Sequence, residues 1–406
     1  MALSAALLTK SQKDTYVPRA ENQLQAIFER HFDEFCAQYE ERFAKKYGMY
    51  RLERLQDVGT RFRTCGAYLQ GIARIRCTNP ECGHDYFRPF SCKGFYRCPS
   101  CSQKRTLLFA EQLTEKVLLD LPHRQFVFTL PKALRVFFRH DRRLFEDISR
   151  LIFNLVREFY QEVAGRMLLT GLIVAHQTFG DMLRWNPHFH AIVLEGGFDN
   201  HGRFFYIPFG GLEAMVELFR RRVIQILTEK GLLDEKLSSN LLSWKHSGFS
   251  IDNSVRILDH RAQENLAEYI ARPPISLKKI RYEPFTGRVL FHTAYSEYFK
   301  ENVHLFDALE FIAELTQHVP PKGLQLIRRY GLYSSRTKGR WEQLEHISRR
   351  APSGWPQTHG QATEAEADPG FEPVPEAVEV DAAEYGSSGN RVGHDGKAVT
   401  LHHQAY

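Results

Sequence analysis

The chain has 406 residues, 43% of them hydrophobic, which is enough for two or three domains with a substantial core; no run of eighteen apolar residues occurs, which speaks against a helical membrane span. A formal charge of +6 hides an asymmetry: residues 351–406 carry nine acidic and two basic side chains, leaving 52 basic and 39 acidic, a net +13, on residues 1–350. A folded part that basic suits a polyanionic partner, with a plain solvated basic surface as the bland alternative.

The opening MALSAALLTK has too short an apolar core, ahead of its only lysine, for a secretory signal, so a cytoplasmic location and no membrane partner are expected. Residues 1–20 read as a flexible leader. From 23 to 48, apolar residues at Ile27, Phe28, Phe32, Phe35, Cys36, Tyr39 and Phe43 keep the spacing of one helix face, which makes Cys36 a core residue. After a cysteine-rich segment, SQKRTLLFAEQLTEKVLLDL reads as a second amphipathic helix stopped by Pro122, where a new domain is expected to start.

RQFVFTLP (124–131) is strand-like, ALRVFFRHDRRLFEDISRLIFNLVREFYQEVAGRM is helical in one or two pieces, and GLIVAHQTFG (171–180) is again a strand. RWNPHFHAIVLEGGF gives another, entered through a Trp-Asn-Pro turn and closed by Gly196 and Gly197. Residues 211–231 form a helix ending at glycine, GFSIDNSVRI is a short strand, and RAQENLAEYIA is a helix stopped by Pro273 and Pro274. That order predicts an α+β fold: a central, mainly antiparallel sheet with helices (122–345), preceded by a helical, zinc-ribbon N-terminal domain (21–121). Residues 346–406, acidic and short of aromatics, read as a disordered tail.

Five of the seven cysteines fall within 25 residues, and in a cytosolic setting such clustering favours metal over disulfides. RIRCTNPECGHDYFRPFSCKGFYRCPSC offers Cys77 and Cys82, then Cys98 and Cys101, as the four thiolates of a structural zinc site; Cys92 and His84 are rival ligands, and Cys65 is core or a spare. Around them, basic residues including Arg74, Arg76, Lys93, Arg97, Lys104 and Arg105 are interleaved with aromatic ones, a pattern suited to phosphates and bases of nucleic acid.

His188 and His190 flank Phe189 at the head of a strand, so both imidazoles would leave one face, a chelating geometry for one divalent ion. A zinc hydrolase would need further His or Asp ligands close by, and the residues after His190, AIVLEGG, hold no Asp-His pair. Phosphoryl transfer asks less of the protein: an ion on a phosphodiester oxygen and a hydroxyl placed in line. NLAEYIARPP offers Tyr269 on a helix, with Arg272 about one turn on to face a phosphate.

The ordered motifs SCKGFYRCPSC, HRQFVFTLP, QTFGDMLRWNPHFHAIVLEGGF, LAEYIARPPIS and HVPPKGLQLIRRYGLYSS, across residues 20–345, resemble the rolling-circle transposases of the insertion-sequence-91 type, which are HUH endonucleases. The resemblance implies His188 and His190 as metal-binding histidines and Tyr269 as a nucleophile that becomes joined to the 5′ end of cut single-stranded DNA. It further implies Mg²⁺ or Mn²⁺ at that site, Zn²⁺ in the N-terminal domain, and single-stranded or hairpin ends of a transposable element as the partner. Many members carry a second tyrosine four positions earlier; here that position is Asn265, with Tyr282, Tyr295 and Tyr298 further downstream. Gln177 and Glu268 are the candidates for a third metal ligand. Two other readings stay open: a zinc-containing DNA-binding regulator without catalysis, and a metal-dependent phosphodiesterase without a covalent intermediate.

Overall fold

The computed structural model describes residues 22–355, apart from 77, 78, 80, 83, 95–97, 258 and 297–299. Asn22 opens the first helix, α1 (Gln23–Ala37), by accepting the backbone N–H of Gln25, one of the donors that a helix start leaves unpaired. Leu24, Ile27, Phe28, Phe32 and Phe35 form its buried face. The single helix predicted to residue 48 is interrupted: the backbone widens into a π turn over Tyr39–Phe43 and ends at Gly48, φ +92. The wider turn re-phases the stripe so that Tyr39 and Phe43 are both buried, and the Tyr39 hydroxyl donates to the Gly48 carbonyl at 3.0 Å. Cys36 is only half-buried, against the edge of this core. Helix α2 (Leu52–Arg63) packs on α1, with Gly59 against the Phe32 ring. Two strands, β1 (Ile72–Arg76) and β2 (Asp85–Pro89), then pair as an antiparallel ribbon, and α3 (Pro99–Lys116) follows.

The central sheet is built from β3 (His123–Thr129), β4 (Gly171–Phe179), β5 (Trp185–Leu194) and the short β6 (Ser250–Asp252). One face, with Phe126, Phe128, Val174, Phe189 and Val193, lies under helices α4 (Leu144–Ala164) and α5 (Glu213–Glu229). The other, with Ile173, Ala175, Ile192 and Leu194, lies under α3 and α6 (His260–Ala271). A sheet covered on both faces explains why β4 and β5 read as nearly continuous apolar runs rather than as alternating ones.

The polypeptide beyond Pro274 supplies a second sheet of β7 (Ile280–Glu283), β8 (Arg288–Ser296) and β9 (Glu301–Asp307), then α7 (Ala308–Thr316). Finally β10 (Ile327–Gly331) returns to the central sheet, whose order is β10-β4-β5-β3-β6. Every strand pair among the described residues is antiparallel, so the α+β architecture expected from the sequence is the observed one. The second sheet and α7 share one core with α1 and α2, combining Phe28, Phe32 and Phe35 with Val289, Phe291, Phe306 and Phe311. Arg51 fastens this union: its guanidinium donates to the carbonyls of Thr316, Gln317 and Val319 at 3.2, 3.3 and 2.5 Å, where α7 ends. The folded core also runs into the segment read as tail, since Ile347 is buried and Trp355 packs on Trp341; residues 1–21 and 356–406 lie outside the described residues.

A Cβ added at Gly59 would sit 2.1 Å from the Phe32 ring, which is itself fixed in the core. Gly59→Ala is therefore expected to cost about 1–3 kcal/mol, read as a lower urea midpoint; an unchanged midpoint would show that the ring can move aside.

Candidate functional site

Alternation along β5 sends Phe189 into the core under α4 and turns His188 and His190 toward α6. The two imidazole centroids are 4.8 Å apart, and the His190 ring stands perpendicular to that of Tyr269 at 5.1 Å. His188 Nδ1 lies 2.8 Å from the Asn186 carbonyl, which can only accept, so the hydrogen sits on Nδ1 and Nε2 keeps its lone pair. His190 Nδ1 lies 3.2 Å from the Gln125 side-chain amide, and its Nε2 is buried without a hydrogen-bond partner. The Gln125 atom facing Nδ1 is the amide nitrogen, which can only donate, so Nδ1 accepts and the hydrogen sits on Nε2; turning the amide over would set its oxygen against Nδ1–H and free Nε2. Burial pushes the His188 pKa down to about 4 and that of His190 well below the ordinary range, so both rings are neutral donors at physiological pH.

The Tyr269 side is held as firmly. Arg272 donates to the Tyr269 hydroxyl at 3.2 Å, with its guanidinium 4.1 Å from the ring centroid. Gln177 stands directly opposite His188 in the β4–β5 register and donates through Nε2 to the carbonyls of Tyr269 and Ile270 at 3.2 and 3.3 Å. Those two acceptors decide which way the amide points, and its oxygen is left buried without a hydrogen-bond partner. From the opposite flank Thr106 of α3 donates to the Ala271 carbonyl at 3.2 Å. The turn joining β4 to β5 passes through Met182 and Leu183, both buried and both at positive φ (55 and 56). Gln317 and His318 fasten it through hydrogen bonds to the Leu183 carbonyl at 3.2 and 2.8 Å.

The thiols converge elsewhere than the sequence spacing suggests. Cys65, Cys92, Cys98 and Cys101 have sulfurs that all lie within 4.8 Å of one another. Three of the separations are 3.6, 3.7 and 3.7 Å, close to the roughly 3.8 Å edge of a tetrahedron with Zn–S bonds of about 2.3 Å. Backbone N–H groups of Cys92 and Gly94 donate to the sulfurs of Cys65 and Cys92, each at 3.3 Å. Hydrogen bonds from Cys65, Cys92 and Cys98 pull the Cys101 thiol far down, while the same contacts push Cys92 up: four thiolates cannot coexist there without a cation, and the donor set fits Zn²⁺. Two members of the expected set lie in this cluster and one described member does not. Cys98 and Cys101 belong to the cluster, Cys82 is exposed and outside it, and Cys77 lies outside the described residues. The reason is topological: β1 and β2 form a ribbon whose base is closed between Gly66 and Phe90, next to Cys65 and Cys92, whereas Cys82 lies in the connection at its far end. Five residues of strand separate the two ends by about 16 Å.

Two family models match the chain: one described as "Transposase zinc-binding domain" over residues 27–130, and one described as "Putative transposase" over residues 171–340. The transposase for insertion sequence element IS801 of Pseudomonas savastanoi pv. phaseolicola is 26% identical over 304 residues, covering 70% of this chain and 71% of the relative. The chain belongs to the transposases of the insertion-sequence-91 type. A second relative, "Putative transposase y4qJ" of Sinorhizobium fredii, is 25% identical over 298 residues, covering 63% of this chain and 69% of the relative; no solved structure matches significantly.

In this transposase the cations expected at DNA are dispersed. Arg74 and Arg76 lie exposed on β1, Arg74 paired with Asp85; Lys93 is exposed beside the thiols; Lys104 and Arg105 are exposed on α3; Arg97 lies outside the described residues. Among the described members of that set, Arg272 alone lies beside Tyr269. Of the other tyrosines, Tyr282 bonds His31 at 2.8 Å, Tyr295 is exposed on β8, and Tyr298 lies outside the described residues. Among the described residues no helix is long and apolar enough to cross a membrane. Sequence reasoning missed Gln125 and Thr106 as site residues and held Cys92 only as a rival ligand and Cys65 only as core or a spare; reading 72–89 as a hairpin that joins its flanks would have brought the two cysteines forward.

Cys65→Ser and Cys92→Ser are each expected to lower bound zinc and the melting temperature, whereas Cys82→Ser leaves zinc content unchanged. Metal analysis of the purified variants decides this; zinc lost from the Cys82 variant and retained in the other two would reverse the assignment.

Proposed function

We propose that this transposase nicks and rejoins single-stranded DNA at the ends of its element through a covalent tyrosine intermediate. The observation that carries the reading is the meeting of His188, His190, Tyr269 and Arg272 on one sheet face. The Tyr269 oxygen attacks a phosphodiester phosphorus, the bond from phosphorus to the 3′ oxygen breaks, and that oxygen leaves as a 3′ hydroxyl. The 5′ end stays on the tyrosine until a second 3′ hydroxyl reverses the exchange, which conserves the energy of the ester. The freed 3′ hydroxyl can prime replacement synthesis, the rolling-circle mode, and a cytoplasmic location goes with that role.

Arg272 already donates to the phenol oxygen, so it stabilises negative charge there as the proton departs and faces the incoming phosphate. The residues fit a divalent ion: His188 Nε2 keeps its lone pair, His190 Nε2 is buried without a partner and offers its own once the Gln125 amide is turned over, and the buried Gln177 oxygen, opposite His188, supplies a third donor. Mg²⁺ or Mn²⁺ held by these residues would polarise a phosphate oxygen and neutralise charge. Gln125, turned so that its oxygen accepts from His190 Nδ1–H, would select from behind the tautomer that binds the ion. The exposed basic and aromatic residues of 68–105 serve element-end recognition on this reading.

Incubation with labelled single-stranded DNA and Mg²⁺ or Mn²⁺ is expected to give a denaturant-resistant protein–DNA product that Tyr269→Phe reduces to background. Cleavage without adduct would instead indicate a phosphodiesterase, and DNA binding with neither product a regulator. Gln125→Leu should raise the ion concentration needed for adduct formation by about 10–100-fold while leaving the adduct obtainable at saturation. An unchanged requirement would remove Gln125 from the ion's support.

A further inference from the structure

The motif HVPPKGLQLIRRYGLYSS holds two adjacent arginines that the tyrosine chemistry does not use. They part at β10: Arg328, opposite Val174, pairs with Glu146 at 3.0 Å, while Arg329, opposite Ile173, points to the face shared with His188 and Tyr269. Among the described residues no carboxylate on that face lies within ion-pair distance of Arg329. One turn further on, Ser334 caps the short helix Ser335–Lys338. Partial burial, then the neighbouring charges of Arg329 and Lys116, hold the Lys338 ammonium below its usual range, so three cations share this corner with no counter-ion among the described residues. On the outer side of the same turn, exposed Arg336 and Arg340, four residues apart, line an open cleft of about 310 Å³ with Thr337 and Gln343. Neither makes an ion pair among the described residues. Five uncompensated cations around one turn repel each other and lower the stability of the free protein, a cost that an anionic partner offsets.

We infer that this turn, with Arg336 and Arg340 at the cleft and Arg329, Lys338 and Lys116 behind it, is a second binding site for DNA backbone phosphates. Arg329 sits two strands across and four residues along from His188 in the sheet register, on the order of 16 Å away. Because α3 and α6 cover the sheet between the two points, a strand whose scissile phosphate lies at Tyr269 would reach this corner by passing over those helices. The site grips DNA outside the cleavage point and carries no base specificity.

The inference rests on the chain acting on DNA and not on the tyrosine mechanism, so binding is measured in full-length Tyr269→Phe protein, where no adduct forms. With a single-stranded oligonucleotide long enough to cover both positions, Arg336→Gln/Arg340→Gln should raise Kd about tenfold at low salt and make the slope of log Kd against log salt shallower by about 1.4, the change expected when two phosphates are no longer neutralised. In protein with Tyr269 intact, the same pair of substitutions should leave adduct formation at saturating DNA unchanged. Equal affinity and equal slope would overturn the site.

Discussion

A helix that ends inside a protein must find partners for its last carbonyl groups. The helix carrying Tyr269 finds them at three consecutive residues: Gln177 takes the carbonyls of Tyr269 and Ile270, and Thr106 takes that of Ala271. The two donors come from different elements, the central sheet and α3, so the phenol is fixed from both sides at once. Sliding the helix would strip buried hydrogen bonds, at about 1–3 kcal/mol for each group left unpaired. Because α3 begins at Cys98 and carries Cys101 in its first turn, the thiol cluster anchors the same helix whose Thr106 holds the tyrosine end. Zinc there would stiffen the face that carries His188, His190 and Tyr269 as well as the ribbon beside it.

The turn between β4 and β5 shows how the remaining parts are recruited. Two consecutive non-glycine residues at positive φ cost about 1–3 kcal/mol each, and such a turn persists only where its surroundings over-determine it. Here Gln317 and His318 bind the Leu183 carbonyl, Thr178 meets His318 at 3.0 Å, and Arg51 and Arg142 both donate to the Gln317 carbonyl. The N-terminal helices thus reach the histidine strand through the end of α7. The strained turn sets the register in which Gln177 faces His188, and a slip of one residue would turn the imidazoles to the opposite face.

The histidine strand and the tyrosine helix were legible in the sequence because each depends on local pattern: alternation for His188, Phe189 and His190, and helical period with a proline stop for Tyr269. The thiol set was not, because Cys65 and Cys92 are neighbours only once the intervening ribbon has paired, whereas spacing along the chain favoured Cys77 and Cys82. The second sheet left a weaker mark: the Glu-Pro-Phe-Thr-Gly turn between β7 and β8 is readable as a hairpin, yet the strands have only one covered face and belong to a core whose other half lies some 250 residues earlier. The π turn at Tyr39–Phe43 answers to the packing of two aromatic rings, which no single-helix period encodes.

A helix with one phenol constrains strand exchange. Asn265, one turn before Tyr269, is exposed, and an amide cannot form the ester that a phenol forms. Tyr282 is tied to His31 in the N-terminal core and is lost to the reaction face. One phenol holds one 5′ end at a time. On the proposed mechanism Tyr269 must therefore hand its first strand to a 3′ hydroxyl before cutting again, or a second copy of the chain must supply the second phenol. Either route requires the DNA to stay on the protein while the ester is exchanged, and grip away from the tyrosine then matters as much as the chemistry itself.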